Sequence, residues 1–327
     1  EIFLTKTSLG ADDDARRTAI REALEAQIGA GSEAGRAVRS ESFDFNLVLA
    51  PGYPEVVDKL LELVIDIQEE ALVIADTPMD KDPDGITNPS TGWAGTAERI
   101  RSPHVAYYYP SALASNLDGT EVVASASGVA LRTYAFSDSV SFLWFAPAGL
   151  RRGLISGIAD LGYVSGQLGG PTTFVPLSIN QGQKNALYQY AATGDINPLI
   201  FTPGQGFVVM GQKTSAVAAS AMDRINVSRL MKYIKRQLRR NTLSFVFEPN
   251  DQLTRDNLKA VVDNFLGDLI VKRGLYDFAT VCDTSNNTPD RIDRNELYID
   301  VALKPVKAAE FIYIPIRILS TGADFTF

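Results

Sequence analysis

The chain has 327 residues, 45% of them hydrophobic and 21% charged, with a formal net charge of -8 and a pI near 4.9. That is an ordinary composition for a globular protein, long enough for two domains, and its acidity disfavours nucleic acid except where cations cluster. The single cysteine, Cys282, excludes an intrachain disulfide and makes a reducing compartment the simpler reading; with the single histidine, His104, it leaves too few ligands for a His/Cys metal centre, so only carboxylate-oxygen sites stay open.

The opening EIFLTKTSLG has no basic stretch leading into an apolar core, so no signal peptide is read there. It starts without Met and reads as a strand entered midway, which sets the expectation that an N-terminal portion precedes it. No apolar run approaches the roughly 18 residues a bilayer span needs. Asp12 to Ile28 predicts a helix, with three aspartates at the positive end of its dipole and Ala15, Ala19, Ala23, Leu24 and Ile28 as its apolar stripe. A polar linker is expected from Ser32 to Ser42. Phe45–Gly52 then reads as a buried parallel strand ending in Pro-Gly, Val56–Glu70 as an amphipathic helix, and Ala71–Pro78 as a second buried strand. This βαβ pattern predicts a mainly parallel sheet flanked by helices.

Met79–Ser102 lacks periodicity and reads as a long loop. Val105–Pro110 is a third strand. A short strand from Glu121 leads into a helix capped by Ser125 or Ser127 and running to about Ala135. Trp144–Gly149 is rich in turn signals, and Gln181–Ala192 looks helical. Ile196–Thr214 reads as a hairpin around Pro203-Gly204-Gln205-Gly206. The bland run Thr214–Ala221 marks a boundary between an α/β unit, residues 1–215, and a smaller α+β unit, residues 222–327. The second unit is expected to place two helices, Asn226–Arg240 and Thr254–Val271 (Thr254 a possible cap), on a mixed sheet. Its strands are Leu243–Pro249, Tyr276–Cys282, Glu296–Leu303 and Phe311–Leu319, with a terminal arm at about 308–327.

One segment of the second unit carries a specific pattern. It comprises Arg224-Ile225-Asn226-Val227 with Arg229-Leu230, Phe247-Glu248-Pro249-Asn250-Asp251, Gly274-Leu275-Tyr276-Asp277-Phe278, Cys282-Asp283-Thr284 with Asn286-Asn287-Thr288-Pro289, Ile292 to Glu296, and Lys304-Pro305-Val306 before Ala309-Glu310-Phe311-Ile312. In order and spacing this resembles the tail sheath proteins of contractile-tailed bacteriophages, most closely the T-even type. Upstream, Leu49 to Gly52, Ala146 to Gly149, Ile196-Asn197-Pro198 and Gly211 to Thr214 resemble the family more loosely. The family's outer domains and N-terminal linking arm are expected to have no counterpart in this sequence. The resemblance implies a structural subunit that polymerises with copies of itself into a helical sleeve around an inner tail tube and contracts to drive the tube through the host envelope. It implies baseplate and tail terminator proteins as further partners, residence in the virion tail after assembly in the host cytoplasm, no cofactor, and no enzymatic, nucleic-acid or membrane role.

Two candidate sites follow. Between Arg224 and Arg240 the chain holds Arg224, Arg229, Lys232, Lys235, Arg236, Arg239 and Arg240 and no acidic residue. This is either a solvated helix face or a contact for an acidic partner, the tube being the one the resemblance implies. Reversing charge at Lys232, Arg236 and Arg239 is then expected to weaken tube attachment and leave folding intact. The alternating residues Phe311, Ile312, Ile314, Ile316 and Ile318 either close a hairpin at home or add a strand to a neighbour's sheet.

The competing enzyme reading is a metal-dependent hydrolase on a doubly wound scaffold. It would use Asp76, Asp80, Asp82 and Asp84, which follow a strand's carboxyl end. Against it stand the missing nucleophile elbow, His/acid pair and P-loop, and the run after Met79 lacks the acidic twelfth position of an EF-hand. His104 and Cys282 as base and nucleophile are disfavoured: Cys282 ends an apolar strand, where a buried small hydrophobe is normal, and His104 follows a proline at a loop-to-strand junction. Tyr107 to Tyr109 and Phe142 to Phe145 are either interface patches or a mixture of core and rim.

Overall fold

The computed structural model describes residues 13–40, 42–115, 118–166, 172–189, 195–217 and 220–310. Phe311–Leu319, and with it the proposed arm strand, lies outside the described residues. The first half supplies α1 (Asp13–Ile28), α2 (Glu33–Val38), β1 (Leu47–Val48), α3 (Val57–Asp66), β2 (Leu72–Asp76), α4 (Pro83–Thr87), β3 (Val105–Tyr109), β4 (Ser111–Ser115), β5 (Glu121–Ala124), α5 (Ala126–Val140) and α6 (Gly149–Arg152). It continues with β6 (Leu154–Ile155), β7 (Ile158–Gly166), β8 (Thr172–Pro176), α7 (Gln181–Tyr188), β9 (Ile196–Thr202) and β10 (Gly206–Val209). The last third contains α8 (Ile225–Thr242), α9 (Gln252–Val271), β11 (Leu275–Val281), α10 (Pro289–Asp293) and β12 (Asp300–Pro305).

The main sheet has the order β1-β2-β3-β9-β10-β6; β1, β2, β3 and β9 run parallel, and β10 and β6 are antiparallel additions. Its central strands are buried on both faces, and their period-two alternation divides the first unit into two cores. Val73, Ala75, Tyr107 and Tyr109 face α3 and Trp93, while Leu72, Ile74, Ala106 and Tyr108 face α5. Tyr107 to Tyr109 are therefore core and not a surface patch. Each phenol is satisfied: Tyr107 accepts from the Ile100 amide at 3.0 Å, Tyr108 meets the Tyr134 hydroxyl at 2.9 Å, and Tyr109 donates to the Lys81 carbonyl at 3.1 Å.

A second, antiparallel sheet, β5-β4-β7-β8, branches from the first where the cis Tyr109–Pro110 bond joins β3 to β4. The sequence reading left Leu154–Pro176 without strands, because Gly157, Gly162 and Gly166 break its alternation. Gly162 is required by packing, since a Cβ there would lie 2.2 Å from the Val175 carbonyl oxygen.

Other expectations shift locally. The linker after Ser32 contains α2, whose N-cap is Ser32 itself, accepting from the Gly35 amide at 2.7 Å. The loop after Met79 contains α4, and α5 extends past Ala135 to Val140. The N-cap of α9 is Asp251, not Thr254, whose amide it receives at 2.8 Å. Leu243–Pro249 is not a strand: a single 3-10 turn at Leu243–Phe245 closes α8 and irregular chain follows. Its β-prone residues find no ladder partner, because β11 pairs with β12 alone among the described strands.

Two buried polar side chains lock the first unit. Asp76, at the end of β2, accepts from the Gly52 amide at 2.7 Å, the Ser127 amide at 2.6 Å and the Ser127 hydroxyl at 2.8 Å. It ties the Pro-Gly turn after β1 to the first turn of α5. Burial raises its pKa, and the three donors oppose that rise. Asn197, in β9, donates to the carbonyls of Tyr107 at 3.0 Å and Lys213 at 2.8 Å and accepts from the Lys213 amide at 2.7 Å. Gly211 is required beside it, because a Cβ there would sit 2.7 Å from the Asn197 Oδ1. We expect Asp76→Ala to leave three donors unmet and to lower folding stability by about 2–4 kcal/mol, as read from urea denaturation; an unchanged midpoint would show that water replaces the carboxylate.

Candidate functional site

The basic helix α8 lies across an acidic rim of the first unit. Its N-terminal residue Ile225 belongs to the α5 core, whereas Leu230 and Ile234 belong to a third core with Leu258, Val262, Leu266 and Trp144. One helix is thus shared by two hydrophobic clusters, and its polar side must cross the seam between them.

That crossing is made by cations. Arg229, buried, grips Asp138 of α5 with two bonds of 2.9 and 2.6 Å and lies 4.9 Å from the Tyr134 ring centroid. Arg236 donates to the carbonyls of Phe45 at 2.7 Å and Glu70 at 3.0 Å and pairs with Asp44 at 2.8 Å. Arg239 reaches Glu70 at 2.9 Å, Arg240 reaches Asp44 at 2.7 Å, and Lys235 reaches Glu69 at 3.0 Å. At the helix start, Arg224 pairs with Asp223 and Glu310. Glu69 and Glu70 are presented by the turn after α3, where Gln68 and Glu69 both adopt positive φ, 60° and 63°.

Lys232 is buried in the middle of this contact. Its ammonium meets the His104 Nδ1 and the Glu69 carbonyl, the latter at 3.3 Å, while the other ring nitrogen of His104 lies 3.7 Å from the Glu69 carboxylate. Burial lowers the Lys232 pKa to about 7 against an ordinary 10.5, with Glu69 opposing and Lys235 reinforcing the shift. Burial, aided by Lys232, lowers that of His104 to about 4. Glu69 is held below its usual range chiefly by its bond to Lys235, and Asp44 chiefly by Arg240.

The helix is therefore not a solvated face. Lys232 and Arg236 are structural groups, which revises the expectation that reversing them would spare the fold. Lys235, Arg239 and Arg240 keep about half their side-chain surface, at 51%, 41% and 51% exposure, and form the helix's outward edge.

The aspartates of the enzyme reading are not brought together as a site. Asp76 is engaged as described, Asp82 caps α4 through the Gly85 amide at 2.7 Å, and Asp80 lies 3.5 Å from Lys81. No cluster of three or more metal-ligating side chains occurs among the described residues. Cys282 is buried in the third core, which pushes its thiol pKa up. The sequence motifs of the last third serve packing and turns. Asn287 brackets Tyr298 through its amide at 2.7 Å and carbonyl at 2.9 Å, Arg291 stacks 3.9 Å from the Tyr298 ring centroid, and Asn250 donates to the Glu296 carbonyl at 2.8 Å. Sequence reasoning missed the acidic half of the seam, because Asp44, Glu69, Glu70 and Asp138 are scattered along the chain.

Residues 217–318 match the family described as the phage tail sheath C-terminal domain. The chain is similar in sequence to curated tail sheath proteins. It is 38% identical to the tail sheath protein of Vibrio phage KVP40 over 191 residues, 58% of this chain and 26% of that one. It is 34% identical to the tail sheath protein of Enterobacteria phage T4 over 204 residues, 62% of this chain and 28% of that one. The chain thus spans only about a quarter of the length of these relatives. Among solved structures, the fold is similar to an extracellular contractile injection system sheath complex in the contracted state, with TM-score 0.68 and 20% identity over 92% of this chain and 80% of that one. It is also similar to an anti-feeding prophage baseplate structure in the contracted state, with TM-score 0.70 and 18% identity over 92% and 76%.

Two measurements probe the seam. Arg229→Ala leaves Asp138 half-buried and unpaired, so we expect a loss of about 2–4 kcal/mol in denaturant unfolding, whereas Arg240→Ala at the exposed edge should cost under about 1 kcal/mol. Lys232 sets a pH dependence. Between about pH 7 and 10.5 the unfolded chain still binds a proton that the folded chain has released, so stability rises with pH, by at most about 1.4 kcal/mol per unit. Unfolding midpoints measured across that window should show this slope in the native chain and lose it in Lys232→Met; equal slopes would mean that Lys232 stays charged.

Proposed function

We propose that this chain is a structural, non-enzymatic subunit of a contractile tail sheath. It polymerises as a helical sleeve around an inner tube and contracts to drive the tube through a host envelope. The observation that carries the reading is the tail sheath likeness itself. It covers 58% and 62% of this chain at 38% and 34% identity, and its C-terminal part coincides with the unit built from α8, α9, β11 and β12. The structural neighbours, a sheath complex and a baseplate, support self-assembly and baseplate association. The subunit works in the virion tail after assembly in the host cytoplasm, and the tail terminator completes its set of partners. It needs no cofactor and engages neither nucleic acid nor membrane.

Within this reading, the tube is met by the outward edge of α8, at Lys235, Arg239 and Arg240. The arm strand from Phe311 through Ile312, Ile314 and Ile316 to Ile318 pairs with a neighbour's sheet. Contraction is rigid-body rotation of subunits, driven by energy stored in their interfaces during assembly.

Electron microscopy of the protein at high concentration, with and without its inner-tube protein, tests the proposal. Striated sleeves are the expected result, with sleeves empty of tube when Lys235, Arg239 and Arg240 are all changed to Glu. Dispersed monomers under both conditions would overturn the sheath reading, and tube-filled sleeves from the triple variant would remove the tube contact alone.

A further inference from the structure

The C-terminal end of α5 carries an exposed surface that the seam does not use. Phe142 stacks on Trp144 at 5.0 Å and neighbours Phe145 at 6.2 Å. Arg152 of α6 lies 4.9 Å and Arg273, just after α9, 5.8 Å from the centroid of the Phe145 ring. The two units are joined beneath this patch by the Trp144 indole, which donates to the Lys272 carbonyl at 3.1 Å. Apolar groups ring it in the open: Val271 is 81% exposed, Val140 58%, Leu150 47% and Phe142 43%.

The cations here differ from those of α8. The exposed cations of α8 pair with carboxylates, whereas Arg152 has the Ala146 carbonyl at 3.1 Å and, among the described residues, no carboxylate lies in ion-pair reach of Arg151, Arg152 or Arg273. Arg151 and Arg273 add to the burial that already disfavours charge on Arg152. The guanidiniums are attracted to the half-buried Phe145 ring but repel one another, a repulsion that an anionic partner would relieve. Arginine and aromatic side chains together have the composition of an interface centre.

The opposite end of α5 has the complementary chemistry. Strand β5 immediately precedes α5 and forms the edge of the antiparallel sheet. It exposes Glu121, Val122 and Val123, with Asp118 just before it. The 15 residues of α5 separate the two surfaces by about 22 Å along the helix axis.

We propose that the Arg151/Arg152/Arg273 patch around Phe145 docks the Asp118–Val123 edge of a second copy of this chain. The two surfaces are different, so the contact is heterologous: each subunit offers a free acidic edge after its basic patch is filled, and the contact propagates head to tail along α5. The net charge of -8 makes a second copy an attractive partner for this one basic, aromatic surface. The proposal rests on the sheath reading only for the expectation that copies meet at all.

Sedimentation velocity on the purified chain tests it. Self-association should appear at about 0.05 M salt and weaken at about 0.5 M. Arg151→Glu with Arg273→Glu should weaken it at least about tenfold, and Asp118→Lys with Glu121→Lys should do the same, each with an unchanged thermal transition because these side chains are exposed. Mixing the two double variants should restore association as alternating head-to-tail assemblies, because the reversed patch of one meets the reversed edge of the other and the remaining native patch meets the remaining native edge. A chain that stays monomeric at low salt, either double variant associating like the native chain, or a mixture that stays monomeric would each overturn the proposal. Normal sleeves from the patch variant would remove this contact and leave the sheath reading standing.

Discussion

The folded chain depends on one electrostatic contact, the laying of α8 onto the rim formed by Asp44, Glu69, Glu70 and Asp138. A helix that carries seven cations and no acid from Arg224 to Arg240 cannot be buried alone. Desolvating even one ion costs several kcal/mol unless a partner and hydrogen bonds offset it. Here six of the seven cations have a carboxylate within reach, Lys232 has the Glu69 carbonyl and His104, and Arg236 adds two backbone carbonyls to its carboxylate. Pairs of this kind contribute little net stability, but removing one partner is expensive. The arrangement therefore specifies how the last third docks more than how tightly it holds. The apolar part of the affinity comes from Leu230, Ile234 and Trp144 in the third core and Ile225 in the second.

The rim exists because the first unit is fixed behind it. Asp76 ties β2 to the turn at Gly52 and to α5, and Asn197 ties β9 to β3 and to the strand-like run at Lys213. Both are buried polar side chains with several protein partners, and both span long sequence separations. They hold α3 and α5 in the relative positions that bring Glu69 and Asp138 to opposite ends of one helix face. Lys213 continues the same network, pairing with Asp195 at 3.1 Å where burial pushes the aspartate pKa up.

Much of the fold was legible because its signals are local. The apolar runs at Ala71–Pro78 and Val105–Pro110, the helix between Val56 and Ile67, the hairpin at Pro203 to Gly206 and the two long helices of the last third each announce themselves by period or turn chemistry. What was illegible depends on partners distant in sequence. Leu243–Pro249 has strand composition but no strand beside it. The residues of β7 and β8 are strand-poor in pattern, interrupted by glycines, yet they find a ladder. The cations of α8 were visible as a run, but the four carboxylates that neutralise them are spread over nearly a hundred residues and belong to three different elements. A one-dimensional reading could therefore see the charge and not its compensation.

That distinction separates the two basic surfaces of this protein. On α8 the charge is spent inside the subunit, and burial of Lys232 next to His104 further reduces what is available outside. At the end of α5 the charge is left open, set on aromatic rings and bordered by exposed valine and leucine. On the proposed sheath reading, a subunit that turns as a rigid body must resist separation at its own seam while exchanging contacts with its neighbours. Internal cations compensated by internal carboxylates meet the first requirement. Uncompensated cations on an exposed rim meet the second, because such contacts form and break with modest desolvation and remain sensitive to salt. The same residue types thus perform opposite tasks, and burial and partner supply, rather than sequence identity, decide which.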